Sequence, residues 1–506
     1  MNAPLRRVGV VVMVLFGLLF ANLNWVQAYK ADEYRTSPYN RRVILDEYKR
    51  ERGIIMLAGG QKLGASTATP DELKYLRTYP LKEKYAHLIG YKPVNIGATG
   101  IEQSENEFLA GTSDKLFGDR FRDLFTGEQT AGGNVLLTIS PTAQDVAFKE
   151  LAENRRGVKK GAVVALDPET GAVKALVSMP SFDPNPITSH DTGAAQKAYQ
   201  ALLDNPDKPL NNRATSEINL PGSVMKVVVS AAALENGATL DTQLVGGSGY
   251  QAPGTTHVIH NAPGVNCPDS ITLFQALTVS CNTAFARLGV ELGSKKLTDT
   301  ATRFGFYQSQ LTVGRLDGKG IAAGPPVAEG VLGKLTTSSG GDDKPTIAQS
   351  SIGQQNVKIT PMQGAMMAAA VANGGKQMRP YVVQQLLGAD TTSFYVADPK
   401  PLQQSCDPRI ASQLQQMMIS VVQNGTGKQA RISDIAGVQV GGKTGTAETG
   451  ESDDSHGWFV GFALKDGRPV AAVAVFLENA GKGGSAEAAR IAGQVMRGVI
   501  ADKGGK

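Results

Sequence analysis

The chain has 506 residues, of which 41% are hydrophobic and 19% charged, and it contains 58 glycines. This length allows two to four domains with ample core, and the composition is that of a globular protein rather than a disordered or fibrous one. The formal net charge is +5. Lysine and arginine are spread along the chain, and no basic run is interleaved with aromatic residues, so nucleic acid is not an expected partner.

Cysteine and histidine usage gives little support to a metal site. The chain has no C-x-x-C pair, and its five histidines do not fall at the spacings of metal ligands. Outside the cytoplasm Cys267 and Cys281 could form a disulfide, whose closed loop would contribute about 3 kcal/mol. The alternative is that both are reduced, buried thiols. If the disulfide forms, Cys406 is left without a cysteine partner.

Residues 8–28 form the membrane-type segment of the sequence. Arg6 and Arg7 precede an apolar run over 8–26, which would rise about 28 Å as a helix, close to the thickness of the hydrocarbon core. The positive flank predicts a cytoplasmic tail at 1–7, and Trp25 suits the far interface. A cleaved signal peptide is the alternative, since Val26-Gln27-Ala28 resembles a cleavage site. Both interpretations export the rest of the chain, and we favour an uncleaved single-pass anchor.

The following segment, 29–135, has a mixed texture with neither an acid pair nor a cluster of nucleophiles. It is interpreted as a non-catalytic pedestal or docking module. From residue 134 onward the patterns become clearer. They predict strands at 135–139, 161–166, 172–179, 438–448, 457–464 and 469–478, helices at 141–153 and 485–499, and a long helical region broken by loops over 188–430.

The order of these elements predicts the fold class. The strands near 161–179 and the three strands near the C-terminus can form one antiparallel sheet covered by helices, with a helical lobe beside it. Asp466-Gly467 between the last two strands is a hairpin signal. The prediction is an α/β (α+β) domain with an antiparallel sheet of five strands.

A serine at the start of a buried helix is the first candidate for chemistry. In Pro221-Gly222-Ser223-Val224-Met225-Lys226, the glycine allows a sharp bend, and the following apolar run predicts a helix. Residues three apart lie on one helix face, so the Lys226 amine can reach the Ser223 hydroxyl and act as its base. Alone, the pattern S-x-x-K, here Ser223 to Lys226, occurs by chance about once or twice in such a chain.

Two further short motifs follow. Ser280-Cys281-Asn282 lies between two helical stretches, where a polar loop can project a hydroxyl and an amide into a cleft. Lys443-Thr444-Gly445-Thr446 lies on a predicted strand, whose period of two places both threonine hydroxyls on one face, suited to a carboxylate. Gly445 would leave room for a substrate backbone. Each motif alone is weak evidence. S-x-N is expected by chance about once or more in a chain of this length, and a short exposed strand edge with protective polar residues would look like K-T-G.

The order S-x-x-K, S-x-N and K-T-G, each on a suitable element, gives the motifs their weight. Over about 340 residues the chain resembles a class B penicillin-binding protein, a membrane-anchored D,D-transpeptidase, and more narrowly the short penicillin-binding protein A type. The flanking text that agrees with that family is Asp167-Pro168, Thr170-Gly171, residues 180–185, Asn212-Arg213-Ala214, residues 359–363, Gly425-Thr426-Gly427, residues 458–461 and Gly100-Ile101-Glu102. The middle residue of S-x-N, Cys281, and the short pedestal depart from the pattern.

The resemblance implies an acyl-transfer mechanism without a metal or organic cofactor. Ser223 would attack the D-Ala-D-Ala end of a peptidoglycan stem peptide, with Lys226 as the base. Ser280 would pass a proton to the leaving D-Ala nitrogen, Asn282 would hold Lys226 and the substrate amide, and Lys443 would polarise this network. Thr444 and Thr446 would bind the terminal carboxylate, and the backbone N–H groups of Ser223 and Thr446 would form the oxyanion hole. β-Lactams would trap Ser223 as an ester.

The resemblance further implies a domain plan and partners. Residues 155–502 would be the transpeptidase domain, carrying a five-stranded sheet and an all-helical lobe, and lying outside the cytoplasm. A glycan polymerase and other division or elongation proteins are the expected protein partners. D,D-carboxypeptidase and β-lactam-binding scaffold remain as alternatives. A β-lactamase needs a deacylating carboxylate, and neither Glu329 nor Asp342 lies in a pattern typical of one.

Overall fold

The structure is a computed structural model that describes residues 2–35, 47–116, 131–316, 322–448 and 455–504. The chain begins with helix Asn2–Asn24, which continues as a π-helical turn, Trp25–Tyr29, and is followed by Ala31–Arg35. The stretch Arg6–Tyr29 is apolar, and none of it is buried inside the protein. Its 24 residues rise about 36 Å, so the helix is long and apolar enough to cross a membrane.

The centre of the C-terminal part is a five-stranded antiparallel sheet, called the central sheet here. Its strands, in spatial order, are Val438–Ala447, His456–Lys465, Arg468–Leu477, Gly161–Leu166 and Val173–Met179. The prediction that two early and three late strands share one sheet is confirmed. The turn between the last two strands in the chain has positive φ at both Asp466 and Gly467, as the Asp-Gly signal predicted.

Helices cover both faces of the central sheet. Pro361–Ala372, rich in alanine, glycine and methionine, packs on one face. Gly484–Gly504 and Pro141–Ala152 pack against each other on the opposite face. The last strands are therefore apolar on both sides, which is why residues 470–477 read as a continuous hydrophobic run.

A second, six-stranded sheet, called the N-terminal sheet here, combines distant parts of the chain. Its spatial order is Ser393–Val396, Val383–Leu387, Asn134–Leu137, Ile55–Met56, Lys62–Ala68 and Tyr75–Thr78. The first two strands form a hairpin from the C-terminal half, and this hairpin pairs with Asn134–Leu137. The segment predicted as a pedestal, 29–135, thus shares its sheet with residues far along the chain, and its residues 36–46 and 117–130 lie outside the described ones.

The region 188–430, predicted as helical stretches broken by loops, contains short strands as well as helices. Its helices, 3-10 turns included, are Thr192–Leu203, Gly222–Met225, Lys226–Glu235, Leu273–Val279, Asn282–Arg303, Lys344–Ser351, Pro361–Ala372, Pro408–Gln423 and Lys428–Ala430. Besides the hairpin above, its short strands are Gln243–Val245, Gly249–Gln251, Val258–His260, Ser270–Thr272, Arg315–Leu316, Ala322–Ala323, Lys376–Met378 and Pro401–Gln404. Strands of two to four residues leave no readable period in a sequence, because their pairing is fixed by contacts made elsewhere.

The remaining short helices lie mainly in the N-terminal part: Lys82–Lys84, Ala86–Ile89, Gly100–Ser104, Asn106–Leu109, Asp114–Leu116 and Asn185–Thr188. A buried carboxylate organises this part. Glu102 is fully buried and accepts hydrogen bonds from Arg52 Nε at 2.8 Å and Arg77 Nε at 2.6 Å. Burial alone would raise the pKa of Glu102, but the charges of Arg77 and Arg52 outweigh it and lower the pKa below its ordinary value.

Candidate active site

The turn that carries Ser223 is compressed between two other parts of the chain. Residues Gly222–Met225 form a 3-10 turn, and the α-helix proper begins at Lys226 rather than at the serine. Gly222 has φ +53°, and a Cβ there would lie 2.2 Å from the carbonyl oxygen of Thr446. Its N–H donates to Gly353 O at 3.0 Å. Only a glycine fits this position, and the bend leaves Ser223 half-buried at a cleft.

The Lys226 amine is fully buried and points at the S-x-N loop. Its Nζ donates to Ser280 O at 2.8 Å, to Ser280 Oγ at 3.2 Å and to Asn282 Oδ1 at 2.7 Å. Among the hydrogen bonds of the described residues, none joins Nζ to the Ser223 hydroxyl. The structure thus places the Lys226 amine against S-x-N, and the predicted contact with the nucleophile is not among its hydrogen bonds in the described part of the chain.

The S-x-N loop joins two helices in a strained conformation. Ser280 ends helix Leu273–Val279 with φ +63° and ψ 44°, and Cys281 is the N-cap of helix Asn282–Arg303. A left-handed conformation of a residue other than glycine costs about 1–3 kcal/mol and persists only where its surroundings determine it. Cys281 forms a disulfide with Cys267, so of the two states that the sequence left open the structure has the paired one. Cys406 is free and buried.

The K-T-G strand, Val438–Ala447, closes the other side of the cleft. Lys443 is fully buried, and its Nζ donates to Ser280 Oγ at 2.9 Å and to Thr444 O at 3.0 Å. Thr444 and Thr446 both line the cleft, as the strand period predicted. Gly445 faces the opposite way, where a Cβ would lie 2.3 Å from Pro221 O. The predicted reason for this glycine was wrong: it makes room for the serine turn, not for a substrate backbone.

Burial governs the protonation of both lysines. It is the main cause that lowers the pKa of Lys226 well below its ordinary value, and the neighbouring Lys443 charge lowers it further. Burial also lowers the pKa of Lys443 to about 7. An amine that is neutral at physiological pH can accept a proton from a hydroxyl. The site thus places two buried amines on the one hydroxyl of Ser280, which lines the same cleft as Ser223.

Some cleft residues escaped the sequence analysis. The cleft has a volume of about 520 Å³ and is also lined by Asn261, Thr426 and Ser485. The Thr426 hydroxyl lies 2.5 Å from that of Thr444, and the Thr446 hydroxyl donates to Ser485 Oγ at 3.3 Å. Gly425-Thr426-Gly427 resembles the family in sequence, but the resemblance assigns it no role. For Asn261 and Ser485 the sequence carries no signal, because single polar residues in loops are common.

Comparison with known proteins agrees with this geometry. Residues 161–497 match the family model described as penicillin binding protein transpeptidase domain. Residues 52–135 match the penicillin binding protein A dimerisation domain. The peptidoglycan D,D-transpeptidase PbpA of Mycolicibacterium smegmatis is 40% identical over 506 residues, covering 99% of both chains.

Solved structures show the same relationship. Penicillin-binding protein A from M. tuberculosis, as its ceftriaxone acyl-enzyme complex, has 37% sequence identity and a TM-score of 0.82, over 90% of this chain and 100% of that one. The penicillin G acyl-enzyme complex of the same protein has 36% identity and a TM-score of 0.80, over 90% of this chain and 99% of that one. The chain belongs to the penicillin-binding transpeptidases. Within them it is a peptidoglycan D,D-transpeptidase of the penicillin-binding protein A type.

Proposed function

We propose that the chain cross-links peptidoglycan stem peptides through an ester on Ser223. The Ser223 oxygen attacks the carbonyl of the D-Ala-D-Ala amide, the C–N bond breaks, and D-Ala leaves with a proton. The amine of a second stem peptide then attacks the ester, forms the cross-link and returns the hydroxyl. The acyl-enzyme complexes of the related M. tuberculosis protein support a covalent intermediate at the corresponding site.

The observation that carries the proposal is the position of the Ser280 hydroxyl. Its oxygen accepts from both buried amines, at 3.2 Å from Lys226 and 2.9 Å from Lys443. Lys226, whose pKa is lowered, takes the proton of Ser223 as the substrate settles and the amine turns toward the nucleophile. Ser280 then relays a proton to the leaving nitrogen, and Lys443 supports this relay.

The remaining roles concern binding of the substrate. Thr444 and Thr446 hold the terminal carboxylate of D-Ala, and Asn282 holds Lys226 with one side of its amide and the substrate with the other. The backbone N–H groups of Ser223 and Thr446 form the oxyanion hole, worth about 3 kcal/mol per donor. β-Lactams occupy the same positions, as the acyl-enzyme complexes of the relative suggest.

We further propose a topology and a domain plan. Residues 1–7 lie in the cytoplasm, 8–28 anchor the chain in the cell membrane, 29–135 form the pedestal, and 155–502 form an extracytoplasmic transpeptidase domain. The apolar stretch Arg6–Tyr29 and the two basic residues before it support this orientation. Protease added outside cells whose wall has been removed should digest the C-terminal part. Protection of that part would contradict the orientation.

The pedestal, residues 29–135, is the proposed docking site for protein partners. A glycan polymerase and other division or elongation proteins are expected to dock there, and the match of 52–135 to a dimerisation-domain model supports a role in association. Charge-reversing substitutions at exposed pedestal residues should then reduce recruitment of the chain to sites of wall growth without altering penicillin binding. Unchanged recruitment across the whole pedestal surface would count against this assignment.

The test of the catalytic assignment is intact-mass analysis of the full-length chain in detergent after incubation with penicillin. We expect one penicilloyl adduct that lasts for hours on the wild type and none on Ser223→Ala. Ser230→Ala is the control, since Ser230 lies buried on the helix that follows the Ser223 turn, without a hydrogen-bond partner among the described residues. It should acylate like the wild type.

The same experiment separates the alternatives. An adduct that vanishes within seconds would indicate a β-lactamase, and an adduct on neither protein would favour a scaffold. With a stem-peptide donor and an added amine acceptor, release of D-Ala with a cross-linked product supports the transpeptidase. Release of D-Ala with only the hydrolysed peptide would indicate a D,D-carboxypeptidase.

A further inference from the structure

Residues 260–267, which begin at the end of the hairpin Gly249–Gln251/Val258–His260, are connected to the S-x-N loop and the start of the next helix through three residues. His260 O accepts from Asn282 Nδ2 at 2.9 Å. Asn261 Oδ1 accepts from the backbone N–H of Asn282 at 2.7 Å and of Thr283 at 3.2 Å. Cys267 is joined to Cys281 by the disulfide. None of these residues belongs to the three motifs except Cys281 and Asn282.

Asn261 completes a weak cap at the start of helix Asn282–Arg303. The first N–H groups of a helix have no partner within it, and an N-cap side chain with an oxygen usually accepts from them. Here the N-cap is Cys281, whose sulfur accepts from Ala284 N at 3.4 Å but is a weak acceptor and is bonded to Cys267, and no bond from Asn282 N or Thr283 N to this sulfur is among those of the described residues. The oxygen that takes the N–H groups of the first two helical residues comes instead from Asn261. Its own amide is fixed by donation to Gly247 O at 2.8 Å.

The first residue of that helix is also a residue of the site. Asn282 holds the Lys226 amine through Oδ1 at 2.7 Å, so a displacement of its backbone moves the partner of the base. The carbonyl of His260 selects the orientation of the amide, because it accepts from Nδ2 and turns Oδ1 toward Lys226. A disulfide limits the distance between two segments but does not set this direction, whereas two hydrogen bonds to one oxygen do.

We propose that Asn261 is a positioning residue of the reaction: its side-chain oxygen holds the start of helix Asn282–Arg303, and thereby Asn282 and the strained Ser280, in register with Lys226 and Lys443. This inference rests on the proposed role of S-x-N. Ser280 needs such support, because a left-handed backbone at a residue other than glycine relaxes when its surroundings are loosened. Asn261 acts through Asn282 and is not itself assigned to the chemistry.

The experiment measures acylation of the full-length chain in detergent by a fluorescent penicillin, with the limiting acylation rate and the dissociation constant of the preceding complex determined separately. Asn261→Ala should lower the limiting rate by about 10- to 100-fold, the range found when residues behind a catalytic group are removed. The dissociation constant should change little. Asn261→Asp keeps an oxygen acceptor at the helix N-terminus but loses the donation to Gly247 O, so it should recover only part of the rate.

A matched control distinguishes positioning from general stability. Asn154 also uses its side chain to organise a loop, donating to Leu151 O and Val158 O and accepting from Arg156 N and Val158 N, and it is not among the residues that line the cleft. Asn154→Ala should lower Tm to a similar extent as Asn261→Ala but leave the limiting rate unchanged. Equal rate losses for Asn154→Ala and Asn261→Ala would overturn the inference.

Two other outcomes are decisive. If Asn261→Ala raises the dissociation constant and leaves the limiting rate intact, Asn261 contacts the ligand directly and the positioning role is refuted. Asn282→Ala serves as the reference for the site itself. If Asn282→Ala acylates at the wild-type rate, the proposed role of S-x-N has failed. If it is slow while Asn261→Ala is not, only the present inference has failed.

Discussion

At the scale of single residues, the Ser280 hydroxyl connects the two buried lysine amines of the site. A hydroxyl oxygen has two acceptor lone pairs, and here both buried amines donate to it. Its own hydrogen then remains available to a substrate nitrogen. Two adjacent ammonium groups without a carboxylate partner would be costly in a buried site, so the arrangement favours a low total charge on the lysines.

Lys443 links the stability of the chain to pH. Burial lowers its pKa to about 7, whereas the ordinary value is 10.5. Between these values the unfolded chain binds more protons than the folded one, so the free energy of unfolding rises with pH. The rise is at most about 1.4 kcal/mol per pH unit for one lysine. Below pH 7 the full cost of burying this amine is present.

We therefore expect the difference in free energy of unfolding, wild type minus Lys443→Met, to increase by about 1–2 kcal/mol between pH 7.5 and pH 9. Chemical unfolding of both full-length proteins in detergent at the two pH values measures it. Lys465→Met, a change at the end of the neighbouring strand where the side chain is partly exposed, is the control and should show no such increase. Parallel behaviour of all three proteins would refute the shifted pKa.

At the scale of elements, the serine turn depends on backbone contact between two glycines. A Cβ at Gly353, where φ is +76°, would lie 1.8 Å from Gly222 O. We expect Gly353→Ala to reduce the rate of penicillin acylation at least tenfold, because the turn that carries Ser223 must shift away. Gly157→Ala is the matched control: its φ is +67°, but no atom lies within 4 Å of the added Cβ. If both variants acylate alike, the contact does not set the position of the serine.

The same elements show what could be predicted from the sequence. The K-T-G strand and the strands around it have long apolar patterns and a marked hairpin turn, so their bounds were predicted to within two residues. The order of the three motifs, not any one of them, predicts the site, and the structure brings them together at one cleft. The role of Gly445 was missed because a glycine in a sequence does not reveal which face is crowded. The role of Asn261 cannot be read from the sequence, because Asn261 precedes Asn282, the first residue of the helix that it caps, by 21 residues.

At the scale of the whole molecule, the two sheets are tied together close to the buried Glu102. The Asn185 side chain accepts from Tyr79 N at 2.8 Å and donates to Tyr79 O at 3.0 Å. Thr188 Oγ1 donates to Arg77 O at 3.0 Å. The hairpin of Val383–Leu387 and Ser393–Val396 completes the N-terminal sheet from the opposite side. These connections predict that the N-terminal and C-terminal parts unfold together.

Glu102→Gln tests this cooperativity, because it removes the carboxylate between Arg52 and Arg77 while keeping its shape. Two buried guanidinium groups without a counter-charge should cost about 3–5 kcal/mol of the free energy of unfolding.

The chain has two tryptophans, and Trp458 is fully buried in the central sheet, so in a Trp25→Phe background fluorescence reports that sheet alone. We expect Glu102→Gln to lower the urea midpoint of Trp458 fluorescence and, equally, that of penicillin labelling. Glu107→Gln, an exposed change on the neighbouring helix, should change the free energy of unfolding reported by either probe by no more than about 0.5 kcal/mol. A Trp458 midpoint that is unchanged in Glu102→Gln would mean that the two parts unfold independently, in spite of the sheet they share.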